Sequence, residues 1–157
     1  MAADGSNWRR VVPSPEPQGI VEQETIEALL RRGSIVVCVG GGGAPVVLDQ
    51  GQLRGVEVVV DKDLVASLLA TGVQADLLIV LTDVAGVMRD YATSKAARVD
   101  RVTLGELALM SFPAGSMGPK IEGCRRFVAT TGRNAVIGGL GDAQDLVLGH
   151  AGRTITS

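Results

Sequence analysis

Aromatic residues and lysine are scarce in this sequence of 157 residues. Aromatics make up 3% of it against 46% hydrophobic residues in total, so a core must be built from Val, Leu, Ile and Ala. That composition suits a parallel sheet covered by helices. The 15 basic residues comprise 12 Arg and 3 Lys. Two of the lysines, Lys62 and Lys120, lie in Asp- or Gly-rich junctions, where a compact ammonium group suits a phosphate, although chance could also place them there.

Long apolar runs, metal-ligand spacings and a strong net charge are also missing. No apolar stretch reaches the length of a membrane span, and residues 1–7 contain no apolar signal core. The net charge of −2 provides no global field that would recruit nucleic acid or an anionic membrane. Cys38 and Cys124 lack metal-ligand spacing and are interpreted as structural thiols. We therefore expect a soluble cytoplasmic domain that binds neither nucleic acid nor membrane.

The sequence is organised around D-K-D at residues 61–63. A β-branched run at 58–60 predicts a buried strand before it, and apolar residues at helical spacing predict a helix after it. The three charges therefore fall at a strand-to-helix junction, with Asp63 as the helix cap, on the sheet edge where open α/β folds bind ligands. A cap alone would explain one aspartate. Lys62 held between Asp61 and Asp63 is suited to an anionic substrate.

Two more motifs follow predicted strands. An apolar run at 35–39 leads into G-G-G-G at 40–43, where the backbone can approach an anion closely, although a tight or flexible turn is the alternative. The strand predicted at 76–81 is followed by T-D-V at 82–84, for which an Asx turn is the alternative. Three polar or glycine-rich motifs therefore lie at the ends of predicted strands.

A fourth motif, G-S-M-G-P-K at 115–120, opens a helix. Ser116 is a candidate N-cap and Pro119 suits the first turn, so Lys120 falls where the helix dipole disfavours a cation. An anion bound between the exposed N–H groups and Lys120 would remove that penalty, and a solvated lysine is the alternative. The apolar residues that follow predict the buried face of this helix: Ile121, Cys124, Phe127 and Val128.

The whole pattern predicts an α/β fold with helices on both faces of one mainly parallel sheet. Residues 1–18 are expected to be a frayed start and an extended lead-in, and residues 19–157 the domain. A first helix at 20–32 has Ile26, Leu29 and Leu30 as its core face, a hairpin surrounds D-Q-G-Q at 49–52, and Thr103 with Glu106 predicts a capping box. Strands are predicted near 35–39, 56–60, 76–81, 135–138 and 153–156.

Together these motifs resemble the carbamate kinases of the amino acid kinase family. The matching stretches, in the family's order, are W-R-R-V-V-P-S-P (8–15), G-G-G-G-A-P-V-V (40–47), V-D-K-D-L (60–64), L-T-D-V (81–84) and G-S-M-G-P-K-I-E (115–122). L-T-D-V and the glycine-rich loop ending in lysine are shared across the wider family. The first stretch, together with G-G-G-G-x-P-V-V and D-K-D, points to carbamate kinase.

The resemblance implies a three-layer αβα sandwich and a reversible phosphoryl transfer between ATP and carbamate, with Mg²⁺, giving ADP and carbamoyl phosphate. It implies that Asp63 orients the catalytic lysines Lys62 and Lys120, which contact the phosphates. The residues implied to bind the nucleotide are Thr82, Asp83, Val84, Gly115, Ser116, Met117 and Gly118. Those implied to border the substrate groove are Gly40, Gly41, Gly42, Gly43 and Asp61.

The resemblance covers only the C-terminal half of the family's length. The N-terminal half carries the family's first glycine loop, which reads G-G-N, and a protruding subdomain with another lysine. We therefore expect a homo-oligomer or a requirement for the missing N-terminal half. Two other hypotheses stay open: a non-catalytic remnant that binds nucleotide or only oligomerises, and another amino acid kinase that acts on an acyl carboxylate or UMP.

Overall fold

The computed structural model of the chain describes residues 2–4, 7–9, 11–83, 88–89, 97–98, 101–110 and 117–157. Its helices are α1 (Gln23–Arg31), α2 (Lys62–Gly72), α3 (Leu104–Ala108), α4 (Met117–Thr131) and α5 (Ala143–Leu148), with a 3-10 turn at Leu140–Asp142. Its strands are β1 (Ala2–Asp4), β2 (Asn7–Arg9), β3 (Val46–Asp49), β4 (Gln52–Gly55), β5 (Leu78–Thr82), β6 (Met88–Arg89), β7 (Ala97–Arg98), β8 (Arg101–Thr103), β9 (Ala135–Gly139) and β10 (Arg153–Thr156).

Four strands form the central sheet, in the order β5-β9-β10-β8. β5 is parallel to β9 and β10 is parallel to β8, whereas β9 and β10 are antiparallel. Three separate antiparallel pairs, β1–β2, β3–β4 and β6–β7, complete the described strands, and β3–β4 is the hairpin predicted around D-Q-G-Q. The predicted α/β fold with a mainly parallel sheet is confirmed.

Helices cover both faces of this sheet, as the strand β9 shows. Successive side chains of a strand point to opposite faces. Ala135 and Ile137 of β9 belong to the core cluster that contains Phe127 of α4. On the other face, Leu146 of α5 lies so close that a Cβ built on Gly138 would be 2.4 Å from its side chain. The three layers are therefore α4, sheet and α5, an αβα sandwich.

Two predictions that rest on side-chain patterns are confirmed. Thr103 Oγ1 accepts a hydrogen bond from the Glu106 N–H at 3.3 Å, and the Glu106 carboxylate accepts one from the Thr103 N–H at 2.9 Å, which is a capping box. The predicted apolar face of α4 is buried along its length: Ile121, Cys124, Phe127 and Val128. Both predictions depend only on residues close together in the sequence, and those residues were sufficient to predict the cap and the buried face.

Two predicted strands, at 35–39 and 56–60, are not strands in the structure. No backbone hydrogen bond joins residues 35–37 to any other part of the described chain. In the second segment the Val59 N–H donates to the Pro13 carbonyl at 3.0 Å rather than to a sheet. β-branched residues favour a pleated, half-buried surface, but a strand also needs a neighbouring strand to pair with. Both predictions are wrong because the described chain supplies no such neighbour.

Two smaller expectations also differ from the structure. Residues 2–4 and 7–9 pair as β1 and β2, where a frayed start at 1–7 and an unpaired extended segment from residue 8 were expected. Ile26 is buried as predicted for the core face of α1, but Leu29 and Leu30 are 39% and 40% exposed. The prediction of a helix is confirmed, but its buried face is narrower than predicted.

The lead-in segment is fastened to α4 by Glu16. Its carboxylate bonds the Arg126 guanidinium, and Arg126 Nε also donates to Glu122 at 2.7 Å. Arg125 donates to Glu122 at 2.7 and 2.9 Å, and these bonds, with help from Arg126, hold the pKa of Glu122 at about 2. Because these side chains are a third or more exposed, the network contributes only modestly to stability. It brings Glu16 of the lead-in into contact with α4.

Among the described residues, no helix has the length and apolar content needed to cross a membrane.

Candidate active site

A buried ion pair joins α2 to α4. Lys120 Nζ donates to Asp63 Oδ2 at 2.8 Å, and the two side chains are only 10% and 12% exposed. The desolvation penalty of a buried charge in a protein is several kcal/mol per ion, and only a short, well-formed contact offsets it. The alternative of a solvated Lys120 is therefore excluded. The fold holds an ammonium group in a fixed place at the first turn of α4.

Asp61, and not Asp63, caps α2. Asp61 Oδ1 accepts hydrogen bonds from the Asp63 N–H at 2.8 Å and the Leu64 N–H at 3.3 Å. Asp61 has the extended backbone of an N-cap residue, with φ −70° and ψ 124°, whereas Asp63 is already helical. The prediction of Asp63 as the cap is wrong for that reason. Because Asp61 performs the capping, the Asp63 carboxylate is available to Lys120.

Lys62 is exposed as the first residue of α2. Within the described residues, no carboxylate lies at ion-pair distance from its ammonium group. The two flanking aspartates therefore do not hold it, contrary to expectation, because one caps the helix and the other pairs with Lys120. A lone cation at a helix N-terminus is disfavoured by the dipole, so Lys62 is free to meet an anion arriving from solvent.

The glycine run packs against the segment that leads into D-K-D. Gly42 has a φ of +128°. A Cβ built on it would be 2.3 Å from the Val60 carbonyl oxygen and 3.6 Å from the backbone nitrogen of Lys62. Only glycine fits such a backbone and such a contact. The run is therefore a tight turn that touches the backbone of the central motif.

Two of the four glycine N–H groups are used inside this turn. The Gly40 N–H donates to the Cys38 carbonyl and the Gly42 N–H to the Val39 carbonyl, each at 2.7 Å. Val39, a β-branched residue, has a φ of 55°, which is an uncommon and strained conformation. The N–H groups of Gly41 and Gly43 make no hydrogen bond within the described chain. Those two groups are the ones available to an anion.

Gly123 is a site residue that the sequence reading missed. A Cβ built on it would be 2.7 Å from the Asp63 carbonyl oxygen, so its small size lets α4 approach α2 closely. Gly123 lies one helical turn after Lys120, and the close approach therefore keeps Lys120 beside Asp63. The available signal was a glycine inside a predicted helix, which often has a packing reason.

The remaining predicted residues make no described bond to the ion pair or lie outside the described residues. Thr82 ends β5 and is buried, and its Oγ1 donates to Asp83 Oδ1 at 3.2 Å. Neither residue makes a hydrogen bond or ion pair with Asp63 or Lys120. Met117 and Gly118 begin α4. Three predicted nucleotide-site residues lie outside the described residues: Val84, Gly115 and Ser116.

Cys124 lies beside the ion pair and is fully buried. Burial raises the pKa of its thiol to about 12, and the nearby Asp63 carboxylate adds to the effect. The thiolate is the nucleophilic form, so a thiol with this pKa stays inert near neutral pH. This agrees with the interpretation of Cys124 as a structural residue.

Known proteins are similar to this chain in sequence and in fold. A model described as the amino acid kinase family matches residues 2–139. The carbamate kinase of Rhizobium meliloti (strain 1021) is 45% identical over 157 residues, and that of Haemophilus influenzae (strain ATCC 51907 / DSM 11121 / KW20 / Rd) is 44% identical over 157 residues. A solved structure titled carbamate kinase from Giardia lamblia bound to AMP-PNP superposes with a TM-score of 0.92 at 36% identity.

These matches cover nearly all of this chain but only part of each relative. They include 98% of the chain and 48% of the Rhizobium protein, and 99% of the chain and 51% of the Haemophilus protein. The Giardia structure is matched over 99% of this chain and 51% of its own. The chain thus spans about half the length of the relatives it matches.

Proposed function

Because the chain belongs to the amino acid kinase family, we propose that it provides the nucleotide-binding half of a carbamate kinase-like phosphotransferase. Residues 19–157 form this half and residues 1–18 its lead-in. The reaction is a reversible phosphoryl transfer between ATP and carbamate that gives ADP and carbamoyl phosphate. The observation that carries the proposal is the buried Asp63–Lys120 pair, bonded at 2.8 Å. Lys62, next to Asp63 in sequence, is exposed and has no ion-pair partner among the described residues.

This reaction requires positive charge held in a defined position near the transferred phosphoryl group. A carbamate oxygen bonds to the γ-phosphorus while the bond from that phosphorus to the β–γ bridging oxygen breaks, and ADP leaves with the electron pair. Negative charge on the phosphoryl and bridging oxygens is what a protein can stabilise in such a transfer. Lys120 is held in place by Asp63 before any substrate binds, so little reorganisation is needed when charge develops. Lys62 adds a second cation, which is exposed to solvent.

The other candidate residues line the two substrates. The stretch at 82–84 and the residues from 115 to 118 serve the nucleotide. Asp61 and the turn at 40–43 border the carbamate groove, with the Gly41 and Gly43 N–H groups directed to the anion. We assign this activity to the cytoplasm, in keeping with the two free thiols, Cys38 and Cys124.

Mg²⁺ would accompany the nucleotide. In the described part of the chain, no three Asp, Glu, His or Cys side chains come together as a metal site. Asp61 is engaged as a cap and Asp63 as the partner of Lys120. The described residues therefore do not themselves fit a resident Mg²⁺, and the phosphate oxygens of the nucleotide would carry the ion.

Lys62→Ala is expected to weaken ADP binding by at least about tenfold, because it deletes a charge-assisted contact to phosphate. The thermal midpoint of the chain should not fall, since Lys62 has no described partner and a cation at this helix N-terminus is disfavoured. Isothermal calorimetry with Mg²⁺–ADP and a thermal melt measure the two quantities. Arg31→Ala removes another exposed cation, at the end of α1, and should leave binding intact. Equal affinities for both variants would remove Lys62 from the site.

The chain alone is expected not to form ATP from ADP and carbamoyl phosphate. Transfer needs donor and acceptor held within a few tenths of an ångström, and the resemblance places much of the acceptor side in the other half of the family's length. Co-expression with the unmatched half of the Rhizobium relative should produce turnover in a coupled ATP assay. Robust turnover by the chain alone would contradict this expectation, and ADP binding without turnover in the complex would favour a non-catalytic remnant.

A further inference from the structure

Asp142 lies just after the carboxyl end of β9 and outside the motifs that form the candidate site. β9 ends at Gly139, and the 3-10 turn Leu140–Asp142 follows it. The Asp142 side chain is exposed. Although Asp142 precedes α5, its carboxylate does not cap that helix, and within the described chain it makes no hydrogen bond or ion pair. The carboxyl ends of parallel strands are where open α/β sheets bind ligands, so this carboxylate is placed to accept a bond from one.

The register of the sheet puts the end of β9 beside Thr82. β5 and β9 are parallel, and Thr82 pairs with Gly139. Val80 and Ile137 pair in the same register and belong to the core cluster on the α4 side of the sheet. Because side chains alternate between the two faces with a period of two, Thr82 and position 139 also face α4.

Gly139 lets the Asp142 carboxylate approach this face. A Cβ built on Gly139 would lie 3.1 Å from Asp142 Oδ2, so the carboxylate occupies the side of β9 to which residue 139 points. Thr82 is on the neighbouring strand, about 4.8 Å away in the sheet. Its Oγ1 donates to Asp83 Oδ1 at 3.2 Å. The ends of β5 and β9 therefore present one polar edge on the α4 face.

The first turn of α4 reaches the same edge. Residues 132–134 join the end of α4 to the start of β9, and Phe127 of the helix and Ile137 of the strand share the core cluster. The two elements therefore pack side by side and run in opposite directions. By their residue counts α4 is about 22 Å long and β9 about 16 Å. The turn that holds Lys120 thus lies at the carboxyl end of β9, as Asp142 does.

We propose that Asp142 is a specificity-determining residue of the nucleotide site, and that its carboxylate accepts hydrogen bonds from the ribose hydroxyls. This inference rests on the proposed function, which gives the phosphates to Lys62 and Lys120. A carboxylate repels phosphate, so Asp142 serves a part of the nucleotide that donates hydrogen bonds. Two neighbouring hydroxyls are such donors, and hydrogen bonds to an ionised carboxylate are strong. The base fits less well, because ligand rings are bound mostly by apolar side chains and this edge is polar.

The sign of the effect on binding separates this role from a distant electrostatic one. ADP is an anion, so an aspartate near its site repels it at long range. Deleting such a charge leaves ADP binding unchanged or strengthens it. Deleting a carboxylate that bonds the ribose weakens ADP binding, because the lost hydrogen bonds exceed the relieved repulsion.

The test is isothermal calorimetry on the chain with ADP and with an ADP analogue that lacks both ribose hydroxyls. Asp142→Ala is expected to weaken ADP binding by at least about tenfold. Binding of the analogue should change by less than about twofold, because the analogue offers the carboxylate nothing to bond. Asp142→Asn keeps the size of the side chain and one acceptor oxygen, so its ADP affinity should fall between. The thermal midpoint should stay unchanged in both variants, because the Asp142 side chain caps no helix.

Asp145→Ala is the matched control. Asp145 is another exposed aspartate, in the first turn of α5, and its removal should leave both affinities unchanged or slightly higher. Each titration is repeated without Mg²⁺. The loss caused by Asp142→Ala should persist there, since it comes from a bond to the ribose and not from a metal-bound water.

The proposal is wrong if Asp142→Ala binds ADP as tightly as the unchanged chain, or if it weakens binding of both nucleotides equally. It is also wrong if the loss appears only with Mg²⁺ or if Asp145→Ala causes the same loss. All of these results leave the proposed function standing, because the unchanged chain still binds ADP. No ADP binding by the unchanged chain would overturn the proposed function and this inference with it.

Discussion

Asp63→Ala is expected to lower the free energy of unfolding by about 3–5 kcal/mol, because it leaves the Lys120 ammonium buried without its partner. The bond that it removes joins Lys120 Nζ to Asp63 Oδ2 at 2.8 Å, between side chains that are 10% and 12% exposed. Urea unfolding at neutral pH measures the change. A loss of less than about 1 kcal/mol, the value typical of an exposed pair, would show that the pair is not buried in solution.

Two further variants separate the ion pair from its surroundings. Asp61→Ala removes only the cap of α2, so it should cost about 0.5–2 kcal/mol and less than Asp63→Ala. The double variant Asp63→Leu, Lys120→Met removes both charges at once and should be close to neutral in stability, because apolar replacements of buried pairs often are. That double variant would also show what the pair does for binding, since a folded chain without it should bind ADP more weakly if Lys120 contacts phosphate.

The parts of the fold and of the site that follow from local chemistry could be predicted from the sequence. The buried face of α4 follows from apolar residues at helical spacing, and the capping box at Thr103 follows from the type of residue three positions later. The sequence placed the D-K-D motif at the start of a helix, but it could not assign the separate roles of Asp61 and Asp63. Asp61 and Asp63 differ by two positions, and only the backbone angles decide which of them caps and which reaches α4.

The contacts that join distant parts of the chain could not be read in this way. Asp63 and Lys120 are 57 positions apart, and neither local pattern contains the other. Only the resemblance to a family connected them. The strands predicted at 35–39 and 56–60 failed for the same physical reason, because pairing is a property of two segments and a β-branched run specifies only one. The approach of Gly42 to Val60 and that of Gly123 to Asp63 are likewise contacts between elements.

Gly42→Ala is expected to be the most damaging alanine substitution in the glycine run, with a loss of about 3 kcal/mol or more in the free energy of unfolding. Two costs combine at this position: the backbone φ of +128°, and a Cβ that would lie 2.3 Å from the Val60 carbonyl oxygen. A backbone carbonyl cannot swing aside as a flexible side chain can. The turn must therefore move away from the segment that leads into Lys62, and ADP binding should weaken as well.

The neighbouring glycines provide matched controls for these two costs. Gly43 has a φ of +80° but open space around its Cβ position, so Gly43→Ala should show the backbone cost alone, about 1–2 kcal/mol. Gly41 has neither feature, and Gly41→Ala should stay within about 0.5 kcal/mol of the unchanged chain. Urea unfolding of the three variants side by side measures the ranking. Equal losses at Gly42 and Gly43 would mean that the turn does not touch Val60. A clear excess at Gly42 would instead show that the glycine turn and the D-K-D motif are held together by direct backbone contact.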